Sequence, residues 1–271
     1  MSRVVYGDTD SVMPRLACVK PLTPEDHEMI GEQICMEITE YLCNLFRDKG
    51  YPSPILILEA EKIFLGFLSL SKKRYIGYKK EPGGEPKLSI TGAQGVRRDN
   101  FLAMTHLYTG ILDAFIVQKK PSAAVFLLKD TLDGLKNATT PLEDLLFTTQ
   151  VRRTYKSENV VGFQLKESAL RKGVEVPSGT RISYFISDSK NPSNSGVAKK
   201  AEYYNGEKTA DVDYYYYMCF LRKPILELFE HFEGYVKMEP LRRLFAKTAQ
   251  QQSAIQTGQR SVTAFFKPIK K

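Results

Sequence analysis

The segment YGDTDS at residues 6–11 contains two aspartates, Asp8 and Asp10, that are separated by a single residue. Residues 3–19 are predicted to form a β-hairpin with this pair at its turn. Two nearby carboxylates repel each other unless a cation lies between them. Mg²⁺ prefers oxygen ligands and binds through one or two carboxylates together with substrate phosphates. The pair is therefore a candidate metal site for phosphoryl transfer, and an acidic turn without a ligand is the alternative.

A second acidic pair follows in LEAEKIF at residues 58–64, where Glu59 and Glu61 are also separated by one residue. We predict a strand here, and residues two apart in a strand face the same side. The spacing therefore puts both glutamates on one face of the predicted strand, and the simplest interpretation is the solvated face of an edge strand.

Basic residues predict a polyanionic partner. The chain has 39 Lys plus Arg against 31 Asp plus Glu, a net charge of +8, which suits nucleic acid. The segment SKKRYIG at residues 71–77 has long cations that can reach phosphates and minor-groove acceptors. A generic basic turn is the alternative for this segment. Its candidate DNA-binding residues are Lys72, Lys73, Arg74 and Tyr75.

Arg97 and Arg98 lie at the start of a helix that we predict over residues 97–118. A basic pair in an exposed first helical turn is one interpretation, but positive charge at that end opposes the helix dipole unless an anion is bound.

The composition is that of a soluble globular protein, with 42% hydrophobic and 26% charged residues. We find no signal peptide and no apolar run of about 18 residues, so the sequence predicts neither secretion nor a membrane span. The four cysteines form no C-x-x-C pair, which argues against a zinc ribbon or a disulfide framework and favours a reducing compartment. They are Cys18, Cys35, Cys43 and Cys219.

A long helix is predicted over residues 23–49. Thr23 is a candidate N-cap, Pro24 suits the first helical position, and Asp26 completes a capping-box pattern. Gly50 gives the stop signal. Apolar residues recur at helical spacing. They are Ile30, Ile34, Ile38, Leu42 and Leu45.

The remaining pattern indicates an α+β protein: an antiparallel sheet backed by the long helix, then a mostly helical region and a flexible tail. Two or three strands are predicted over residues 54–80, a turn at 81–86 and a strand at 180–187. Further helices are predicted at 121–136, 141–150, 164–172, 213–232 and 238–249. From Gln250 the composition becomes polar and predicts a flexible tail.

Six segments in order along residues 3–232 resemble family B DNA polymerases, most of all the delta-type replicative enzymes and their relatives in large DNA viruses. YGDTDS resembles the third polymerase motif of the family. The other five segments are LEAEKIF at 58–64, SKKRYIG at 71–77, GAQGVRRDN at 92–100, GTRISYFI at 179–186 and LRKPILELFE at 221–230. Such an ordered set makes coincidence a poor explanation.

The resemblance implies a domain organisation and a reaction. Residues 1–96 would be the C-terminal part of the palm, residues 97–249 the thumb and residues 250–271 the tail. The function implied is template-directed addition of deoxynucleoside triphosphates to a primer end on primer–template DNA, with two Mg²⁺ ions. Asp10 would bind the metals directly and Asp8 would be its close acidic neighbour.

The same resemblance implies roles for the other candidates. Glu59 and Glu61 match the accessory acidic positions of the family. The segment at 71–77 would follow the newly made duplex, and Arg97 and Arg98 would hold phosphates at the base of the thumb. Thr91 and Ser183 depart from the family, which often has Lys and Pro at these positions.

Two sequence patterns that the family needs for activity are absent from the chain: D-x-x-S-L-Y-P with a second aspartate, and K-x-x-x-N-S-x-Y-G with a triphosphate-binding lysine. Met1 is also only five residues before Tyr6. We therefore expect a fragment, one half of a split enzyme or the product of an incomplete gene model, inactive without a missing N-terminal portion. The alternative is a non-catalytic module that binds DNA and a sliding clamp.

The tail contains QRSVTAFF at residues 259–266, which fits the Q-x-x-h-x-x-a-a motif by which replication proteins bind a sliding clamp. Such a peptide forms one helical turn that inserts apolar side chains into a pocket. A chance aromatic pair is the alternative, although polar tails contain few aromatics. The candidate clamp-binding residues are Gln259, Val262, Phe265 and Phe266. The expected location is the nucleus or a viral replication compartment.

Overall fold

The computed structural model describes residues 2–18, 20, 22–51, 56–187 and 201–245. The chain divides into two compact units, Met1–Ala93 and Gln94–Lys271, called unit 1 and unit 2 below. Both combine helices with antiparallel sheets, so the predicted α+β class is confirmed. No helix in these ranges has the length and apolar character that crossing a membrane requires.

Unit 1 begins with the predicted hairpin, formed by strands β1 (Arg3–Asp8) and β2 (Ser11–Arg15). Asp8 pairs with Ser11 across the ladder, so only Thr9 and Asp10 make the turn. A two-residue connection is the tightest way to join antiparallel strands. The turn therefore places the aspartates at the tip of the hairpin.

Helix α1 (Pro24–Asp48) follows and has the predicted capping box. The Asp26 backbone N–H donates to Thr23 Oγ1 at 3.1 Å, and the Thr23 backbone N–H donates to the Asp26 carboxylate at 2.9 Å. Gly50 has φ +79° just after the helix, as the stop signal predicts. None of the helical residues is buried.

The main sheet of unit 1 has the order β3-β4-β5 and is antiparallel. Its strands are β3 (Ile63–Ser71), β4 (Arg74–Lys80) and β5 (Lys87–Thr91). Lys80 on β4 forms ion pairs with Glu28 at 2.8 Å and Glu25 at 3.4 Å, which connects the sheet to α1. The predicted turn at 81–86 joins β4 to β5, a strand that the sequence pattern did not predict.

The predicted strand over Glu59 and Glu61 is wrong, because β3 starts only at Ile63. Residues 56–62 precede the sheet and form a hydrogen bond to the helix instead of a strand ladder: the Leu58 N–H donates to Thr39 Oγ1 of α1 at 3.0 Å. The two glutamates therefore precede the sheet.

Unit 2 is mostly helical. Its helices are α2 (Leu102–Leu112), α3 (Pro121–Lys136), α4 (Val161–Arg171), α5 (Tyr214–Glu230) and α6 (Met238–Leu244), and α2 continues as a π-helical turn over Asp113–Val117. Its sheet has the order β6-β7-β8, formed by Phe147–Gln150, Arg181–Ile186 and Ala201–Tyr203. Tyr217, Phe101, Phe185 and Phe229 are among its largest fully buried side chains.

Two helix predictions in unit 2 need correction. The helix predicted over residues 141–150 is a 3₁₀ turn at Leu142–Leu145 followed by strand β6. Phe147 pairs with Tyr184 in β7, so pairing with a strand far along the chain overrides the local pattern. The helix predicted from residue 97 starts at Leu102.

Candidate functional site

The aspartate turn of unit 1 presents one exposed and one half-buried carboxylate. Asp10 is exposed at the second turn position, and Asp8 ends β1 with about a third of its side chain exposed. Thr9 Oγ1 donates to Asp8 Oδ1 at 3.2 Å, and Ser11 Oγ donates to the Asp8 carbonyl at 3.1 Å. Hydroxyl donors thus order the turn while Asp10 stays open to solvent.

The basic turn between β3 and β4 lies against the aspartate turn. Ser71 pairs with Arg74, which leaves Lys72 and Lys73 as the turn residues. The Lys73 backbone N–H donates to the Tyr6 hydroxyl at 2.9 Å, and Lys73 Nζ is 3.6 Å from Asp8 Oδ1. A backbone hydrogen bond and an ion pair therefore join the two turns.

A cluster of aromatic rings packs beside the contact between the two turns. The Tyr6 ring lies 5.3 Å from Tyr75 and 6.1 Å from Phe67, and the Phe67 and Tyr75 rings are 5.6 Å apart. Phe64 adds two edge contacts. Ring pairs at these separations stabilise by more than the apolar area that they bury. Tyr75 thus packs in the base of the site, whereas Lys72, Lys73 and Arg74 are exposed.

Backbone strain marks both turns. Thr9 has φ +52° and Lys73 has φ +62°, in the left-handed region that residues with a Cβ adopt at a cost. Such residues persist only where the surrounding contacts hold them. At Lys73 the Tyr6 hydroxyl is one such contact, since it binds the strained residue's own N–H.

The accessory glutamates do not complete a metal centre with the aspartates in the structure. Glu59 and Glu61 are exposed, and Glu61 pairs with Lys62 at 3.0 Å. Within the described ranges, no three His, Cys, Asp or Glu side chains are grouped closely enough to hold a metal ion. The oxygen donors of the aspartate turn suit a hard divalent cation. The turn itself offers two carboxylates, one fewer than such a group of three ligands.

Arg97 and Arg98 lie in unit 2, ahead of α2 rather than in its first turn, so the argument from the helix dipole does not apply to them. Arg97 binds Asp99 through two nitrogens, at 3.0 Å and 2.9 Å. Thr148 Oγ1 donates to the Arg98 carbonyl at 2.6 Å. The pair borders a depression of about 350 Å³ that Arg181 also lines, a residue that sequence reasoning missed.

The predicted clamp-binding residues Gln259, Val262, Phe265 and Phe266 lie outside the described residues, as does the tail from Gln250.

The model of DNA polymerase family B matches residues 1–232. The chain is 28% identical to the DNA polymerase delta catalytic subunit of Mesocricetus auratus over 240 residues, which are 86% of this chain and 21% of the relative. It is 30% identical to the DNA polymerase of Pyramimonas orientalis virus, over 83% of this chain and 19% of that protein. The chain thus spans about a fifth of the length of these relatives.

The fold is similar to that of the family B DNA polymerase from the hyperthermophilic archaeon Pyrobaculum calidifontis. The TM-score is 0.51 at 18% sequence identity, covering 83% of this chain and 26% of the archaeal one. The family match extends over most of the chain and includes both the aspartate turn and the basic turn, and the fold agrees with it. The chain belongs to family B of the DNA polymerases.

Proposed function

We propose that this chain supplies the C-terminal palm and the thumb of a DNA-directed DNA polymerase that extends a primer by two-metal nucleotidyl transfer. The observation that carries the proposal is the contact between the aspartate turn and the basic turn. It puts a candidate metal ligand, Asp10, beside cations that can hold DNA. Unit 1 would be the palm part and unit 2 the thumb.

Asp10 is the proposed direct ligand of Mg²⁺, because its carboxylate is exposed at the tip. When bound, the ions would activate the primer hydroxyl and neutralise charge on the triphosphate. Asp8 would set the shape of the turn and supply a second carboxylate. Lys73 offsets part of the repulsion between the aspartates, since its ammonium is 3.6 Å from Asp8. Glu59 and Glu61 keep the role of accessory acidic groups in this proposal.

Lys72, Lys73 and Arg74 would bind the primer–template duplex through its phosphates and minor groove. Tyr75, which packs in the aromatic cluster, would hold this turn in place. In the thumb, Arg97 and Arg98 would bind backbone phosphates.

A complementary polymerase polypeptide is the proposed partner of unit 1. Ile76 and Ala93 are the only buried apolar side chains in the described part of that unit. Many large apolar residues there are exposed instead, and apolar surface that is grouped in this way marks a site where another protein binds. They include Val4, Val12, Met29, Met36, Tyr41 and Ile57, each at least 59% exposed. We infer that the portion with the second aspartate and the triphosphate-binding lysine covers this surface, and that the chain alone is inactive.

The proposed substrates are deoxynucleoside triphosphates and primer–template DNA, and the proposed tail partner is a sliding clamp. The site of action would be the nucleus or a viral replication compartment, in keeping with delta-type and viral relatives.

Primer extension tests the proposal. The chain is mixed with an N-terminal polymerase half from a viral relative, after their association is shown by gel filtration, and is given Mg²⁺ and four deoxynucleotides. We expect extension that needs both halves and falls at least about a thousandfold in Asp10→Ala, since a direct metal ligand is lost. Asp48→Asn, at the exposed end of α1, is the matched control and should keep full activity. Extension by the 271-residue chain alone, or by Asp10→Ala, would refute the proposed division of the site.

The alternative is a non-catalytic module that binds DNA and a clamp. In the described ranges no three potential metal ligands are grouped together, and this observation favours the alternative. It predicts duplex binding with no extension in the associated complex, an outcome that would replace the catalytic proposal.

A further inference from the structure

Gly92 approaches the basic turn of unit 1 more closely than a residue with a side chain could. It follows strand β5, whose last residue, Thr91, pairs with Tyr75 of β4. A Cβ atom placed on Gly92 would lie 2.4 Å from the Lys73 carbonyl oxygen and 3.2 Å from Arg74 Cγ. The first distance is well inside van der Waals contact, and a backbone carbonyl cannot rotate away as a side chain can. Any side chain at position 92 must therefore displace either the end of β5 or Lys73.

The backbone conformation of Gly92 does not by itself require this close approach. Gly92 has φ +64°, and Gly83, in the turn between β4 and β5, has a similar φ of +69°. A Cβ atom added to Gly83 would meet no described atom beyond its chain neighbours within 4 Å. Both positions therefore favour glycine for the backbone. Only position 92 also needs glycine for space, and Lys73 fills that space.

Lys73 is thus contacted at both of its backbone polar groups. Its N–H donates to the Tyr6 hydroxyl at 2.9 Å, and its carbonyl oxygen lies against Gly92. We propose that Gly92, together with Tyr6, is a positioning residue that holds Lys73 for contact with duplex DNA. This inference rests on the proposed function, because the turn that Gly92 contacts is the one proposed to bind the duplex.

Control of the backbone matters because it sets the direction in which the Lys73 side chain leaves the turn. The side chain is largely exposed, and its ion pair with Asp8 is 3.6 Å long. An exposed pair of this kind fixes a flexible side chain only weakly. The contacts of Gly92 and Tyr6 act instead on the backbone of Lys73. A lysine on a fixed backbone loses less conformational freedom when it binds DNA than one on a mobile turn.

Duplex binding by the full chain tests this role. Fluorescence anisotropy with a labelled primer–template is measured from about 50 to 200 mM salt for wild type, Gly92→Ala and the matched control Gly83→Ala. Both substitutions place a Cβ atom on a residue with a positive φ, but only Gly92→Ala displaces Lys73. Gly92→Ala should weaken binding about two- to tenfold and reduce the slope of log K against log salt by about one, as expected for one displaced cation. Gly83→Ala should keep the wild-type affinity and slope.

A second measurement follows the Lys73 backbone without DNA. In NMR spectra of the chain with isotope-labelled lysine, the Lys73 amide resonance is identified by its loss in Lys73→Ala. Gly92→Ala should shift this resonance because it displaces the peptide, and Gly83→Ala should leave it in place. Tyr6→Phe should also shift it and weaken duplex binding, because it removes the hydroxyl that accepts from the Lys73 N–H. Tyr6→Phe keeps the aromatic ring, so it tests the role even if Gly92→Ala fails to fold.

A double-mutant cycle shows whether Gly92 acts through Lys73. Gly92→Ala should weaken duplex binding by a smaller factor in a Lys73→Ala chain than in wild type, since the displaced ammonium is already absent. Equal factors in the two chains, or an unshifted Lys73 resonance, would overturn the inference and leave the proposed function standing. Wild-type affinity in both Gly92→Ala and Tyr6→Phe would do the same. Failure of the wild-type chain to bind duplex would contradict the DNA binding of the proposed function, and the inference with it.

Discussion

Lys73 joins three features of the candidate site in a single residue. Its backbone N–H binds Tyr6, its ammonium faces Asp8, and its φ of +62° lies in the left-handed region. The ion pair is largely exposed on the lysine side, at 65%, so it contributes little to stability. The main structural requirement at this position is therefore the backbone conformation, and the charge is left for the DNA binding that we propose.

This separation of backbone and charge can be measured by two substitutions that remove the same ammonium. Lys73→Gly should be more stable than Lys73→Ala by about 1 kcal/mol, because glycine adopts a positive φ without a Cβ penalty. Urea unfolding followed by circular dichroism gives the comparison.

Lys72 provides the internal control for that prediction. It lies in the same turn but is not among the residues with a positive φ. Lys72→Gly should therefore be no more stable than Lys72→Ala, and less stable by up to about 1 kcal/mol. An equal advantage of glycine at both positions would show that the turn as a whole, not the strain at Lys73, sets the preference.

At the scale of elements, local chemistry was predictable and distant pairing was not. The start of helix α1 follows from Thr23, Pro24 and Asp26, because a capping box satisfies backbone N–H groups of the first turn. Strand β6 was missed because its partner is β7, some thirty residues away along the chain. Glu59 was placed on a strand because its alternating pattern fits one, but α1 binds the backbone beside it.

The candidate site shows the same limit. Family motifs identified both turns of unit 1, but no pattern in the sequence indicated that Lys73 pairs with Asp8. Arg181 was missed because an exposed arginine before a strand is common, and only the fold brings it to the depression that Arg98 lines.

The capping box gives a pH-dependent prediction for α1. The hydrogen bonds from Thr23, first that of its backbone N–H, hold the pKa of Asp26 below its usual 3.8. A lowered pKa in the folded state stabilises the protein above the unfolded-state pKa, and this contribution is lost as pH falls through the folded-state value. Asp26→Asn should therefore lower the urea midpoint at pH 7 and have a diminishing effect between about pH 5 and pH 2.

The other end of the same helix supplies the control. Asp48 is the last residue of α1, where a negative charge opposes the helix dipole. Asp48→Asn should leave the midpoint at pH 7 unchanged or raise it. An effect of Asp26→Asn that is equal at pH 7 and pH 2 would show that the carboxylate charge is not what stabilises the helix start.

At the scale of the whole molecule, the two units differ in how much apolar surface they bury. Unit 2 has a core built from Phe101, Phe185, Tyr217 and Phe229, all fully buried. Unit 1 has an aromatic cluster under its turns and a 25-residue helix with no buried residue. Burial of apolar area is the main source of stability, so most of the folding free energy of the described chain resides in unit 2.

Hydrogen exchange should resolve this difference. Amides of α3 and α5 are expected to exchange slowly, and those of α1 faster by at least about tenfold, because regions with few buried contacts open at low cost. Mass spectrometry of peptides from both units provides the comparison. Adding the complementary polymerase half should slow exchange in α1 selectively. Equal protection of α1 and α5 in the free chain would contradict the assignment of stability to unit 2.

The hydrogen bond from Lys73 to Tyr6 joins residues that are 67 positions apart. The hairpin of β3 and β4 involves only neighbouring residues, so it can form soon after the chain makes it, whereas closing the longer loop costs more entropy. Because synthesis proceeds from the N-terminus, the aspartate turn leaves the ribosome well before the hairpin against which it rests. The aspartate turn is thus translated before the basic turn and gains its support only later, which makes contact between β1 and β4 a late step of folding.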